Sequence, residues 1–231
     1  NGHDTLAKVK ILSSLSFNTK ISKDKCLMEG IENIELKDIE IANKLNLRIK
    51  LLGITELLNN RLFERVYPCL VKKNSYIGNV NGVMNAIILN GKPIGENILQ
   101  GEGAGPGPTS SALLSDLLSI LRGNIKYPFA IPHSLRRNIL KFDLQKHLCS
   151  SYIRVEVNDI PGVLTSITKI FALNKISIKN LIQNPNKKNK KASIVIITHV
   201  SSEKNYNNLL KNLNKNKYLI KKPTFIRIEK F

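Results

Sequence analysis

Tyr152-Ile-Arg-Val-Glu-Val-Asn-Asp-Ile-Pro-Gly-Val-Leu-Thr-Ser-Ile-Thr-Lys-Ile-Phe-Ala-Leu173 changes its hydrophobic period half-way along. Ile153, Val155 and Val157 fall on one side of an alternating run and Arg154 and Glu156 on the other, the pattern of a strand. Past Pro161-Gly162, Val163, Ile167, Ile170 and Phe171 recur at helical spacing. Reading on, 176–182 and 193–200 are strands flanking a basic hairpin loop at 184–191. Residues 202–214 are a helix with Tyr206, Leu209, Leu210 and Leu213 inward, and 225–228 close the sheet. Strand, helix, strand, strand, helix, strand is a βαββαβ sandwich of ferredoxin type.

Toward the other end, 4–17 read as a helix with Leu6, Val9, Leu12 and Leu15 or Ser16 marking its period and Asp4 capping its first turn. Residues 36–47 form a second helix with Ile39, Ala42 and Leu45 inward, and 48–54 and 66–71 are strands. Pro68 marks the latter as an edge or a bulge, because proline cannot donate to a ladder. Segments 86–89 and 94–99 make a hairpin turning at Asn90-Gly91, a dipeptide suited to tight two-residue turns. Gly101-Glu-Gly-Ala-Gly-Pro-Gly-Pro108 is incompatible with regular structure. Thr109 or Ser110 then caps a helix that runs to Arg122 and stops at Gly123. Residues 124–149 are a connector, partly helical over 135–148.

The 231 residues leave room for one large domain or two modest ones, and a hydrophobic content of 42% can fill their cores. No apolar run approaches the roughly 20 residues that span a bilayer. The opening stretch, with Asp4, Lys8 and Lys10, is not a signal peptide. Its first residue is Asn, so the chain is expected to begin inside a longer reading frame. Cys26, Cys69 and Cys149 are odd in number and lack CxxC spacing, which points away from a disulfide framework or zinc and toward a reducing, cytoplasmic setting. The net charge of +19 invites a nucleic-acid reading. Against it, 28 Lys outnumber 8 Arg, as expected of A/T-rich codons, and there is no Trp. Arginine is the residue of base readout and bidentate phosphate contact, and aromatic rings are the stacking platforms. Lysines are spread along the chain, apart from Lys187-Lys-Asn-Lys-Lys191. No nucleic-acid or membrane partner is expected.

Gly2-His-Asp-Thr-Leu-Ala-Lys8 places Asp4 and Lys8 four residues apart, on one face of a helix. Such a pair can bind a small polar substrate and exchange a proton with it. Equally, it can be a surface ion pair contributing a few tenths of a kcal/mol.

Arg65-Val-Tyr-Pro-Cys-Leu-Val71, Asn79-Val-Asn-Gly-Val-Met-Asn-Ala86 and the glycine loop, joined to Glu29-Gly-Ile31 and Ile49-Lys-Leu-Leu-Gly-Ile54, resemble the catalytic region of homoserine dehydrogenase over residues 2–123. Val157-Asn-Asp-Ile-Pro-Gly-Val-Leu164, with Ile176-Ser-Ile178 and Ile194-Val-Ile-Ile-Thr-His199, resembles an ACT regulatory domain. Together they resemble the long, regulated form of the enzyme. The resemblance implies an α/β fold: an α+β catalytic domain with a mixed sheet, then a ferredoxin-like ACT domain. It divides the chain into a catalytic and dimerisation domain (1–100), a return segment (101–123), a linker (124–150) and an ACT domain (151–231). It implies interconversion of aspartate 4-semialdehyde and homoserine with NADP or NAD, in threonine, methionine and isoleucine synthesis.

By the same resemblance Lys8 is the proton donor and binds substrate with Asp4. Partial burial would have to lower the Lys8 pKa. Gly105 and Gly103 approach the cofactor, and Asn158 and Gly162 form the turn that binds an amino-acid effector, threonine by expectation. Gln183 and His199 are expected to be structural or exposed. A homodimer or larger homo-oligomer is implied. The family's N-terminal nucleotide-binding domain, with its fingerprint and monovalent-cation loop, has no counterpart in these residues. The chain alone is therefore expected to be inactive, with the 109–122 helix exposing an apolar face. The competing readings are a standalone amino-acid-binding regulator without catalysis and a basic RNA-associated domain.

Overall fold

A computed structural model describes residues 1–22, 26–124, 127–186 and 190–230. Its elements in chain order are α1 (His3–Phe17), β1 (Leu27–Met28), α2 (Leu36–Lys44), β2 (Leu47–Leu58), β3 (Arg61–Lys72), α3 (Tyr76–Asn79), β4 (Met84–Gly91), β5 (Gly95–Glu102) and α4 (Pro106–Leu121). They continue as β6 (Leu148–Asn158), α5 (Val163–Leu173), β7 (Ile178–Asn186), β8 (Lys191–Thr198), β9 (Ser201–Ser202), α6 (Glu203–Asn214) and β10 (Thr224–Ile228). The ferredoxin-like pattern is present in full, with strands in the order β10-β6-β8-β7. Residues 187–189 of the basic loop lie outside the described residues.

One sheet runs through both parts of the chain. β3 pairs in parallel with β10, which continues antiparallel into β6. On one face α5 and α6 close a core of Ile153, Val155, Ile167, Phe171, Ile194 and Leu209. The opposite face, which carries Arg154 and Glu156, is also covered. Helix α2 lies there, packing Ile41 and Ala42 against Leu70, Tyr152, Val195 and Ile226. Arg154, 1% exposed, sits under it. Its Nη2 donates to Asp38 Oδ2 at 2.9 Å and to Thr224 Oγ1 at 2.8 Å, and the Tyr152 hydroxyl donates to Asp38 Oδ1 at 2.9 Å. A buried charge persists where partners satisfy it, and these do.

Several local expectations are corrected. Asp38 and Ile41 of α2 are buried while Ile39 is exposed, and α2 ends at Lys44 because Leu47 already starts β2. In α1 it is Val9, Ser13 and Ser14 that are buried, and Leu15 is exposed. Gly2, not Asp4, occupies the N-cap. β3 is an interior strand although it contains Pro68. The Val66 and Leu70 carbonyls accept from the Glu29 and Glu229 amides on one side. Pro68, two residues from each, turns its nitrogen to that same side, into the gap between β1 and β10, where no donor is required. The hairpin turns over Lys92-Pro93-Ile94, since Gly91 pairs with Gly95. Helix α4 is capped by Gly105 rather than Thr109 or Ser110, with Pro106 at its first position, where a missing N–H costs nothing. Among its described residues the connector contains three short 3₁₀ turns, at 128–130, 133–135 and 144–146, and runs into β6 at Leu148.

Candidate functional site

Helix α1 is held against β2 by Gly53. A Cβ there would stand 2.3 Å from Val9 Cγ2 and 2.9 Å from Thr5 Cγ2, so only glycine allows this approach. Ser13 Oγ, bonded to the Val9 carbonyl at 2.9 Å, shares a 2.6 Å hydrogen bond with Thr55 Oγ1 of the same strand. With Val9 and Ser13 fixed inward, the Asp4 and Lys8 side chains project to the open side. Lys8 Nζ lies 2.7 Å from Asp4 Oδ2, and the two side chains are 64% and 80% exposed. The partial burial expected of Lys8 is therefore not supplied by these residues.

Lys8 lines a cleft of about 810 Å³ between α1, β2 and β4, with Leu12, Lys50, Asn81, Met84 and Asn85 among its walls. Asp4 is not part of the lining. The far wall is tied down by Arg48, whose Nη1 donates to the Gly78 carbonyl and Asn81 Oδ1, each at 2.9 Å. Lys50 donates to the Val80 carbonyl. Burial, together with the neighbouring Arg48 charge, lowers the Lys50 pKa. Lys50 is a second cleft lysine that sequence reasoning missed. Its signal was a lone cation inside the apolar run Ile49-Lys-Leu-Leu.

The two loop glycines differ. A Cβ on Gly103 would fall 1.6 Å from Asn85 Nδ2, and its amide donates to the Val83 carbonyl at 2.9 Å. A side chain at Gly103 would make the end of the Asn85 side chain turn aside. Gly105 has φ 126° and ψ 161°, with nothing nearer to a Cβ than Pro108 Cδ at 3.6 Å. Its backbone is open to close approach by a flat ring. Pro106 and Pro108 remove two of the first amides of α4, so this helix start is poorly equipped to cradle a pyrophosphate.

At the other end of the sheet, a cavity of about 380 Å³ is lined by Asn158, Asp159, Gly162, Val163, Gln183 and Ile194, among others. Gly162, at φ 85°, caps α5 without a side chain, leaving amides of its first turn without a side-chain cap. Gln183 Nε2 donates to Asp159 Oδ1 at 3.2 Å. Gln183 is exposed, as expected, and also lines this cavity. His199 is exposed, with its amide on the Ser177 carbonyl at 2.9 Å.

Among the described residues, His147, Cys149 and Glu203 bring potential ligand atoms within 4.8 Å of one another. Both Glu203 oxygens already accept from Arg227. Burial, with Glu203 nearby, pushes the Cys149 thiol up to about 12. That donor set is occupied by a protein cation and does not suit a metal.

The family model "Homoserine dehydrogenase" matches residues 1–118, and the model "ACT domain" matches residues 151–217. Homoserine dehydrogenase of Helicobacter pylori is 36% identical over 230 residues, covering 99% of this chain and 54% of that protein. The Neisseria gonorrhoeae enzyme is 34% identical over 236 residues, with the same coverage of each. The crystal structure of a homoserine dehydrogenase from Thiobacillus denitrificans superposes with a TM-score of 0.86 at 31% identity, over 99% of this chain and 53% of that one. The chain spans about half the length of the curated relatives it matches. No helix among the described residues is long and apolar enough to cross a membrane.

Proposed function

The chain belongs to the homoserine dehydrogenase family, and from that premise we propose that residues 1–123 supply the substrate side of an NAD(P)-dependent oxidoreductase and residues 151–231 an ACT domain that senses an amino acid, joined by 124–150. The observation that carries the reading is Lys8 in the cleft lining, ion-paired to Asp4 on a helix that the Gly53 contact holds in place. In this reading the substrate is the aspartate 4-semialdehyde/homoserine pair. Bound nicotinamide supplies or receives the hydride. The Lys8 ammonium donates its proton to the aldehyde oxygen as charge develops there, and its amine takes the proton back in the reverse direction. Asp4, 2.7 Å from Lys8 Nζ, orients the ammonium and accepts from the polar groups of the substrate. Gly105 lets the ring approach backbone, and Gly103 leaves room for the Asn85 side chain.

The Asn158–Gly162 turn and Gln183 would hold the carboxylate and ammonium of the effector, with threonine the first candidate. A homo-oligomer in the cytoplasm completes the proposal. A regulator without catalysis is disfavoured, because the family match falls on the segment such a protein would not require.

The test is homoserine-dependent NADP⁺ reduction by the purified chain, alone and combined with the dinucleotide-binding domain of a relative. Activity only in the combination, lost in Lys8→Ala, supports the reading. Equal activity with and without Lys8 would end it.

A further inference from the structure

Arg227 of β10 is buried where the two parts of the sheet meet, its side chain 3% exposed. Its Nη1 and Nη2 donate to Glu29 Oε2 and Oε1 at 2.8 and 3.1 Å. The same guanidinium donates through Nη2 to Glu203 Oε2 at 3.1 Å, and through Nε to Glu203 Oε1. The rings of Tyr67 and Phe225 lie 4.5 and 4.9 Å from it. Glu203 opens α6 of the regulatory part, whereas Glu29 follows β1 of the catalytic part.

The Glu29 backbone also seats the start of α1. Its amide donates to the Val66 carbonyl at 2.8 Å. Its carbonyl lies 3.5 Å from where a Cβ on Gly2 would stand, and a Cβ on the adjacent Gly30 would fall 2.7 Å from Asn1 Cα. Asp4 and Lys8 follow in the first turns of that helix.

A planar guanidinium holding two carboxylates by paired hydrogen bonds transmits displacement instead of absorbing it. Arg227 cannot release Glu203, 1% exposed, without leaving a buried charge unpaired. Motion of α6 is therefore handed to Glu29. We propose that Glu29 is a positioning residue through which Arg227 and α6 set the placement of α1 and its Asp4–Lys8 pair. This gives the regulatory part a physical route to the catalytic lysine, and it rests on the reading of Lys8 given above.

The test is a double-mutant cycle on the full 231-residue chain with Glu29→Gln, Arg227→Lys and both, read by amide NMR shifts and hydrogen exchange. The Glu29 side chain is 38% exposed, so Glu29→Gln keeps the fold. In that variant the α1 amides exchange about tenfold faster while α5 amides keep their protection. The Asp4 and Lys8 amide signals shift, and Arg227→Lys moves them the same way. The double variant shows no more than Glu29→Gln alone. Unchanged α1 exchange, equal acceleration in α5, or full additivity would overturn the link. If Arg227→Lys does not fold, Glu29→Gln decides by itself. L-Threonine serves as the effector probe. If it binds by calorimetry and its shifts at Asp4 and Lys8 persist in Glu29→Gln, the link fails. If it does not bind, only the threonine assignment fails and the cycle still decides. A Lys8→Ala variant of the combined enzyme with undiminished turnover would remove the catalytic reading without touching the cycle.

Discussion

Helices α5 and α4 are both rich in apolar side chains, yet their fates are opposite. In α5, Val163, Ile167 and Phe171 are buried beneath α6 and over the sheet. The 16 residues of α4 bury nothing, and Leu113, Leu114, Leu117 and Leu118 are between 46% and 66% exposed. The β4–β5 hairpin beside it likewise forms a separate two-stranded sheet. The regulatory part closes one face of its sheet with its own α5 and α6, while the other face is covered by α2. The catalytic part leaves the apolar side chains of α4 exposed. The difference shows how unevenly stability is distributed, with tolerance concentrated on the side where the chemistry is proposed.

The largest effect expected from breaking this asymmetry is catalytic. Lys8→Ala in the combined enzyme is expected to lower turnover by roughly 100- to 10,000-fold, the usual contribution of a positioned proton donor. Circular dichroism of the variant should match the parent, because Lys8 is exposed.

At the joint, Asp38→Ala strands Arg154 with its main buried partner gone. A loss of about 3–5 kcal/mol in denaturant unfolding is expected. A loss below about 1 kcal/mol would mean that α2 contributes little to the shared sheet.

Within the closed core, Ile167→Ala should cost about 2–5 kcal/mol, and with it effector binding by calorimetry. The same truncation at Leu117 of α4 should stay within about 0.5 kcal/mol in the chain alone and weaken docking of the dinucleotide-binding domain. Equal costs at the two positions would erase the contrast.

The smallest effect is a pH dependence. Lys221 above all, with Lys37 and Arg154, holds the Glu35 carboxyl down at about 2. A depressed folded-state pKa stabilises fully above the unfolded value of roughly 4.3, and the contribution disappears as pH falls toward 2. Glu35 is 41% exposed, so solvent screens it. Glu35→Gln should flatten a shallow loss of stability between those pH values, measured by thermal unfolding.

Much was legible because it was local. A period-two run identified the first strand of the ferredoxin-like half, and helical spacing named eight inward residues, of which Val163, Ile167, Phe171, Tyr206, Leu209 and Leu213 are buried and Ile170 and Leu210 half-buried. The Asp4–Lys8 pairing followed from i,i+4 spacing alone. What failed was whatever depended on a distant neighbour. Ile39 and Ile41 of α2 look equivalent in sequence, and only the position of Leu70, Tyr152 and Val195 makes Ile41 the inward one. Asp38 reads as a polar surface residue until Arg154, far along the chain, is placed beneath it. Lys50 gave a signal, but its place in the cleft needed Val80 and the β4 wall.

By itself the sequence determined the strand and helix order of the second half and the Asp4–Lys8 spacing, since periodicity and helix spacing are properties of neighbouring residues, while the candidacy of Lys8 as proton donor came from the family resemblance. The tertiary structure alone decided that both parts share one sheet through β3 and β10, that Pro68 is interior, and that Arg227 joins Glu29 to Glu203. These depend on which strand edges meet in space, and pairing between residues far apart in the chain leaves no period to read.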